Sequence, residues 1–68
     1  LMQVGDLVRV AMAHRRYTTA NPRIRYKGQL AVVIDTITNY NETMVKLISD
    51  GAELWFRTTE LEAINESR

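Results

Sequence analysis

The chain contains no cysteine, so neither a disulfide framework nor a thiolate metal site is open to it. Its one histidine, His14, has no second histidine or cysteine with which to build a zinc site or a nucleophile pair. The longest apolar run, Leu30 to Ile34, is five residues, against the roughly 20 that a membrane-spanning helix requires. No charged segment leading into an apolar one opens the chain, so the expected compartment is the cytoplasm. Gly28 stands alone, without the further glycines of a phosphate-binding loop. Helical periodicity sustained over ten residues is missing throughout, as are low-complexity segments and linkers. These absences disfavour metal, thiol and nucleotide chemistry, and the expectation is a non-enzymatic protein without cofactors.

What remains is 68 residues, enough for one domain spanning 1–68. A chain of this size buries only about 60% of the surface that its unfolded form exposes. The apolar fraction, 46%, is ordinary for a globular domain. The net charge of +1 conceals a split. Residues 7–34 hold six bases (Arg9, Arg15, Arg16, Arg23, Arg25 and Lys27) and no acid, whereas residues 35–68 hold seven acids and three bases. Leu1 before Met2 suggests a natural start at Met2 with Leu1 a remnant of cloning, or else a piece of a longer chain.

The pattern is β throughout. Gly5-Asp6 reads as a turn and Leu7–Met12 as a strand with Val8, Val10 and Met12 on one face. Ala13–Lys27 is a long polar connection, of the kind that is usually functional or carries a short ribbon of its own. Gln29–Thr36 is the second strand. It is apolar on both faces, Leu30, Val32 and Ile34 on one and Ala31 and Val33 on the other, as for a central strand covered on two sides. Asn39-Tyr40-Asn41 is a turn, Thr43–Ser49 the third strand and Glu53–Arg57 the fourth. Thr58-Thr59-Glu60 reads as one helical turn with a threonine able to cap it, and Leu61–Ile64 as a closing strand.

Asp50-Gly51 is a hairpin signal. A two-residue loop sets Leu47 against Leu54, Val45 against Phe56, and Lys46 beside Trp55, leaving Trp55 on the outer face. A three-residue loop brings Trp55 alongside Val45 and turns Glu53 toward the core. The first is preferred because it avoids burying Glu53. The expected core is Val8, Val10, Leu30, Val32, Ile34, Val45, Leu47, Leu54, Phe56, Leu61 and Ile64. The 23-residue spacing of Gly5, Gly28 and Gly51 is better explained by turns than by a repeat. Asn41-Glu42-Thr43 and Asn65-Glu66-Ser67 match the glycosylation sequon by chance.

Five short strands, a long first loop, a tight hairpin and a helical turn before the last strand describe an SH3-like small barrel. Val4–Val10 resembles the opening strand of such barrels in KOW and Tudor-like proteins. Lys27-Gly28-Gln29-Leu30-Ala31-Val32-Val33 resembles the KOW core, with Ala31 where that core has its second glycine. Ser49-Asp50-Gly51 with Trp55, followed by Glu60–Ile64, is similar to the ends of small proteins from tailed phages of marine cyanobacteria. The resemblance implies a binding module, and KOW domains commonly bind RNA or the transcription and translation machinery. Signalling SH3 domains match less well, because Val10–His14 lacks their ligand-shelf aromatics. A Tudor-type cage would require Tyr17, Tyr26, Tyr40 and Trp55 to converge.

The candidate binding loop comprises Arg15, Arg16, Tyr17, Arg23, Arg25, Tyr26 and Lys27, with Trp55 a candidate surface aromatic. Arginine forks grip phosphates and tyrosine rings stack on bases, which suits single-stranded DNA or RNA. Alternatively, the cations keep the loop soluble, or they answer the acidic half within one molecule or between copies. Glu60 and Glu62 read as a solvated face. The favoured expectation is protein–protein interaction or self-assembly, and the alternative is nucleic-acid binding through the 13–27 loop.

Overall fold

The computed structural model describes residues 2–11 and 22–64, the side chains of Pro22 and Arg23 excepted. Five strands form one antiparallel sheet: β1 (Leu7–Val10), β2 (Leu30–Ile37), β3 (Glu42–Leu47), β4 (Glu53–Arg57) and β5 (Leu61–Ala63). Their order is β4-β3-β2-β1-β5. Short 3-10 turns occupy Pro22–Tyr26, Thr38–Tyr40 and Thr58–Glu60. The fold is all-β, with the long first connection and the helical turn before the last strand that the sequence leads one to expect of a small barrel.

β2 is the spine, because it pairs with β1 on one side and β3 on the other. The pairing fixes which way it faces. Ala31 lies opposite both Val8 and Leu47, and Val33 lies opposite Val45. All five are buried, together with Val10, Phe56, Leu61 and Tyr26. The expected face of β2 is therefore inverted: Ala31 and Val33 point inward, while Leu30 is exposed and Val32 and Ile34 are only half-buried. At that inner position Ala31 is flanked by Val8 and Leu47, all three buried. Ile64 is also exposed rather than in the core, and Leu54 packs at its margin. At Ile34 the register with β3 shifts by one residue, a β-bulge that bends the strand.

The β3–β4 hairpin adopts neither expected register. Val45 pairs with Leu54, Met44 with Trp55 and Thr43 with Phe56. The Leu47 N–H donates to the Ala52 carbonyl at 2.8 Å and the Gly51 N–H to the Leu47 carbonyl at 2.9 Å, closing a loop over Ile48–Gly51. Asp50 ends this loop by accepting the Ala52 N–H on Oδ1, and Gly51 takes the positive φ, +76°, that its last position demands. Relative to the preferred register, the partners slip by two residues. A two-residue slip preserves the faces, so Phe56 still points inward and Trp55 outward.

The helical turn at Thr58–Glu60 is capped differently from expectation. No threonine side chain caps it. Instead Glu60, 2% exposed, turns back and its Oε1 accepts the Arg57 N–H at 2.8 Å. The Thr58 hydroxyl bonds the buried Thr43 hydroxyl at 2.8 Å, tying the turn to β3. Glu60 is thus a structural cap and not part of a solvated face, whereas Glu62 is exposed. The burial of Thr43 also removes the hydroxyl of the Asn41-Glu42-Thr43 sequon from the surface.

Candidate interaction surface

The inner face of β2 is filled by the core. Its outer face still carries Leu30, Val32 and Ile34, and the loop after β3 adds Ile48, 59% exposed. The Ile48 N–H donates to the Leu30 carbonyl at 3.1 Å, which holds the loop against β2. Val32, Ile34, Lys46, Leu47, Ile48 and Gly51 line an open apolar cleft of about 380 Å³. Trp55 and its cross-strand partner Met44, both half-buried, lie on this same outer side. A solvent-facing side of an antiparallel sheet normally reads polar, so an apolar strip here departs from the usual pattern.

Around the strip, three bases lie opposite acids in the strand register. Arg9 sits opposite Glu62, Lys46 opposite Glu53, and Arg57 opposite Glu42. The first pair closes to 3.4 Å between Arg9 Nη1 and Glu62 Oε1. Both members are exposed, so its worth to stability is at most about 1 kcal/mol. Among the described residues this is the ion pair that closes; Lys46–Glu53 and Arg57–Glu42 are opposed in register only, and Asp35 lies opposite Met44.

Of the basic segment, the described residues show its end. Arg15, Arg16, Tyr17 and the Arg23 side chain lie outside the described residues. Arg25 and Lys27 are exposed at the end of the loop. Tyr26 is not a surface aromatic: it is 3% exposed and belongs to the core. The expectation that its ring stacks on a base is corrected by that burial. Its hydroxyl donates to Asp50 Oδ2 at 2.9 Å, and Arg25 Nη2 approaches the same hydroxyl at 3.3 Å with its guanidinium 5.1 Å from the ring centroid. The Ser49 hydroxyl donates to Gln29 Oε1 at 2.6 Å, a second tie between the loop's end and the hairpin. The Ala52 N–H, and next the Tyr26 hydroxyl, hold the Asp50 carboxyl below its usual value, with a smaller contribution from Arg25. The basic and acidic halves therefore meet inside one molecule.

Tyr40 is exposed at the opposite end of β3 from the hairpin loop, in the turn before that strand, and Tyr26 is buried, so a cage joining these two rings is not formed. Among the described residues no three His, Cys, Asp or Glu side chains gather as a metal site, and no helix is long and apolar enough to cross a membrane. Sequence reasoning singled out Trp55 but passed over Ile48 and the outer side of β2. The available signal was the double-sided apolarity of β2.

By fold this is a small all-β domain, and among the described residues the outer face of its sheet is apolar and partly exposed. No family model matches the chain, and neither a curated protein nor a solved structure matches it.

Proposed function

We propose that the protein is a non-enzymatic protein-interaction module that works through the outer face of β2 and β3. One observation carries this reading: β2 is apolar on both sides, and among the described residues its inner side is fully buried while its outer side is left half-buried or exposed. The resemblance to KOW and Tudor-like barrels supports binding over catalysis, and the similarity to phage proteins supports a site of action in the cytoplasm of a host cell. Nucleic-acid binding is the weaker reading. At the described end of the basic loop, Tyr26 is buried and Arg25 is drawn toward Tyr26 and Asp50. A phosphate-reading surface needs several unpaired cations, and affinity then falls steeply with salt.

The test places a photo-cross-linking amino acid at position 48 and, as a control, at position 40, where Tyr40 is 77% exposed far from the cleft. The expected result in host lysate is a protein cross-link from position 48 and none from position 40. Cross-linking to RNA or DNA, or equal labelling at both positions, overturns the reading.

A further inference from the structure

We propose that Asp50-Gly51 is a site of aspartate isomerisation, closed while the hairpin is folded and opened when it unfolds. Water is the only co-reactant. The Gly51 main-chain nitrogen attacks Cγ of the protonated Asp50 carboxyl, an N–Cγ bond forms, and a Cγ–O bond breaks. The carboxyl's OH leaves with the nitrogen's proton as water, and a five-membered succinimide remains. Hydrolysis at the Asp50 main-chain carbonyl breaks its bond to the Gly51 nitrogen, so the chain then runs through Cγ as isoaspartate. Hydrolysis at Cγ restores aspartate. A side chain on the following residue hinders ring closure, and glycine has none. Of the three aspartates, Asp6 precedes Leu7, Asp35 precedes Thr36, and Asp50 alone precedes a glycine. Asp50 and Gly51 are both exposed, so water reaches the ring.

The folded hairpin engages both reacting groups. The Gly51 N–H donates to the Leu47 carbonyl at 2.9 Å, which occupies the nucleophile. Asp50 Oδ1 accepts the Ala52 N–H at 2.9 Å, and Oδ2 accepts the Tyr26 hydroxyl at 2.9 Å. These two bonds, that from Ala52 first, hold the carboxyl below its usual value and keep it ionised, the form with no hydroxyl to expel. All three partners lie outside the dipeptide, Tyr26 at 24 positions' distance, so unfolding frees nucleophile and electrophile together. Isoaspartate at position 50 therefore marks molecules that have unfolded.

Prolonged incubation of the full chain at neutral pH, native and in guanidinium chloride, tests this. Peptide mass spectrometry reads the product, because isoaspartate shifts elution without changing mass. The expected result is isoaspartate at position 50 and at neither 6 nor 35. It accumulates at least about tenfold faster in the denatured chain, because the folded one reacts only through openings of the loop. Gly51→Ala slows the denatured reaction. Tyr26→Phe, which keeps the buried ring, speeds the folded reaction by about twofold to tenfold, the range that one net hydrogen bond spans. Equal rates in native and denatured chains, no isoaspartate at position 50 in the denatured chain, or no slowing by Gly51→Ala overturns the inference. A folded Tyr26→Phe chain that isomerises no faster than its parent overturns the part assigned to the hydroxyl. Should Tyr26→Phe fail to fold, the native and denatured rates of the parent chain decide alone.

Discussion

Val32 and Val33 offer a direct measurement of which way β2 faces. They are neighbours of one residue type on one strand, so strand propensity and side-chain chemistry cancel between them. Val33 is 0% exposed, opposite Val45, with its N–H donated to the Asp6 carbonyl at 2.9 Å. Val32 is half-buried on the outer side, opposite Leu7 and Lys46. Truncation to alanine removes two methyl groups in each case. At about 0.8 kcal/mol for each buried carbon, the transfer term at Val33 is about 1.6 kcal/mol. The hollow left between Val45 and the rest of the core raises Val33→Ala to about 2–3 kcal/mol. Val32→Ala leaves no enclosed cavity and loses a fraction of the transfer term, under about 1 kcal/mol. A core this small supplies at most about 3–5 kcal/mol of stability, so Val33→Ala removes roughly half of it. With a urea m-value near 1 kcal/mol/M, the unfolding midpoint falls by about 2 M or more. The assay is urea unfolding followed by emission from Trp55, the single tryptophan, at low micromolar protein so that association does not contribute. Equal m-values license the comparison. If Val32→Ala costs as much as Val33→Ala, the register of β2 against β1 and β3 is wrong, and the account of the outer face goes with it.

Three further outcomes follow from the ties around the hairpin and the last turn. Thr58→Ala strips the buried Thr43 hydroxyl of its 2.8 Å partner and destabilises by about 1–3 kcal/mol, while adding Thr43→Val recovers part of the loss; chemical denaturation of the two single variants and the double variant reads the coupling. Gly51→Ala costs about 1 kcal/mol through its φ of +76° and not through crowding, since an added Cβ meets nothing nearer than Lys46 Cε at 3.8 Å; thermal unfolding shows a modest fall, smaller for Gly51→Asn. Asp50 is held below its ordinary value of 3.8, so its contribution is complete above that value and disappears as pH falls through it toward the lower folded value. Tyr26→Phe removes the second largest of the causes, so the loss of stability on acidification becomes shallower than in the parent chain; a melting series from neutral pH to about pH 2 showing identical acid limbs refutes that role for the Tyr26 hydroxyl.

The strands were legible wherever one face alone was apolar. In β1 the alternation Leu7-Val8-Arg9-Val10 leaves one choice, and Val8 and Val10 are both fully buried. β2 defeats that logic, because Leu30-Ala31-Val32-Val33-Ile34 is apolar at every position. Bulk favours Leu30, Val32 and Ile34 as the inward set, but facing is decided by non-local pairing with Val8, Leu47 and Val45, which no local pattern contains. The same limit applies to Tyr26. Its arginine neighbours mark it as a surface residue, while the 3-10 turn at Pro22–Tyr26 carries it back under the hairpin to Asp50, 24 positions along the chain. The hairpin shows how much a wrong register tolerates: its partners moved by two, yet every side chain kept its face, so Trp55 was placed outside for a reason that survives the correction. The bearing on function is specific. A strand that reads as buried on two sides calls for cover on both, and among the described residues the inner side alone is fully buried. The structure converts that surplus into a location, the cleft between Ile34 and Ile48. On the proposed reading, substitution on this outer face is what changes binding by the domain.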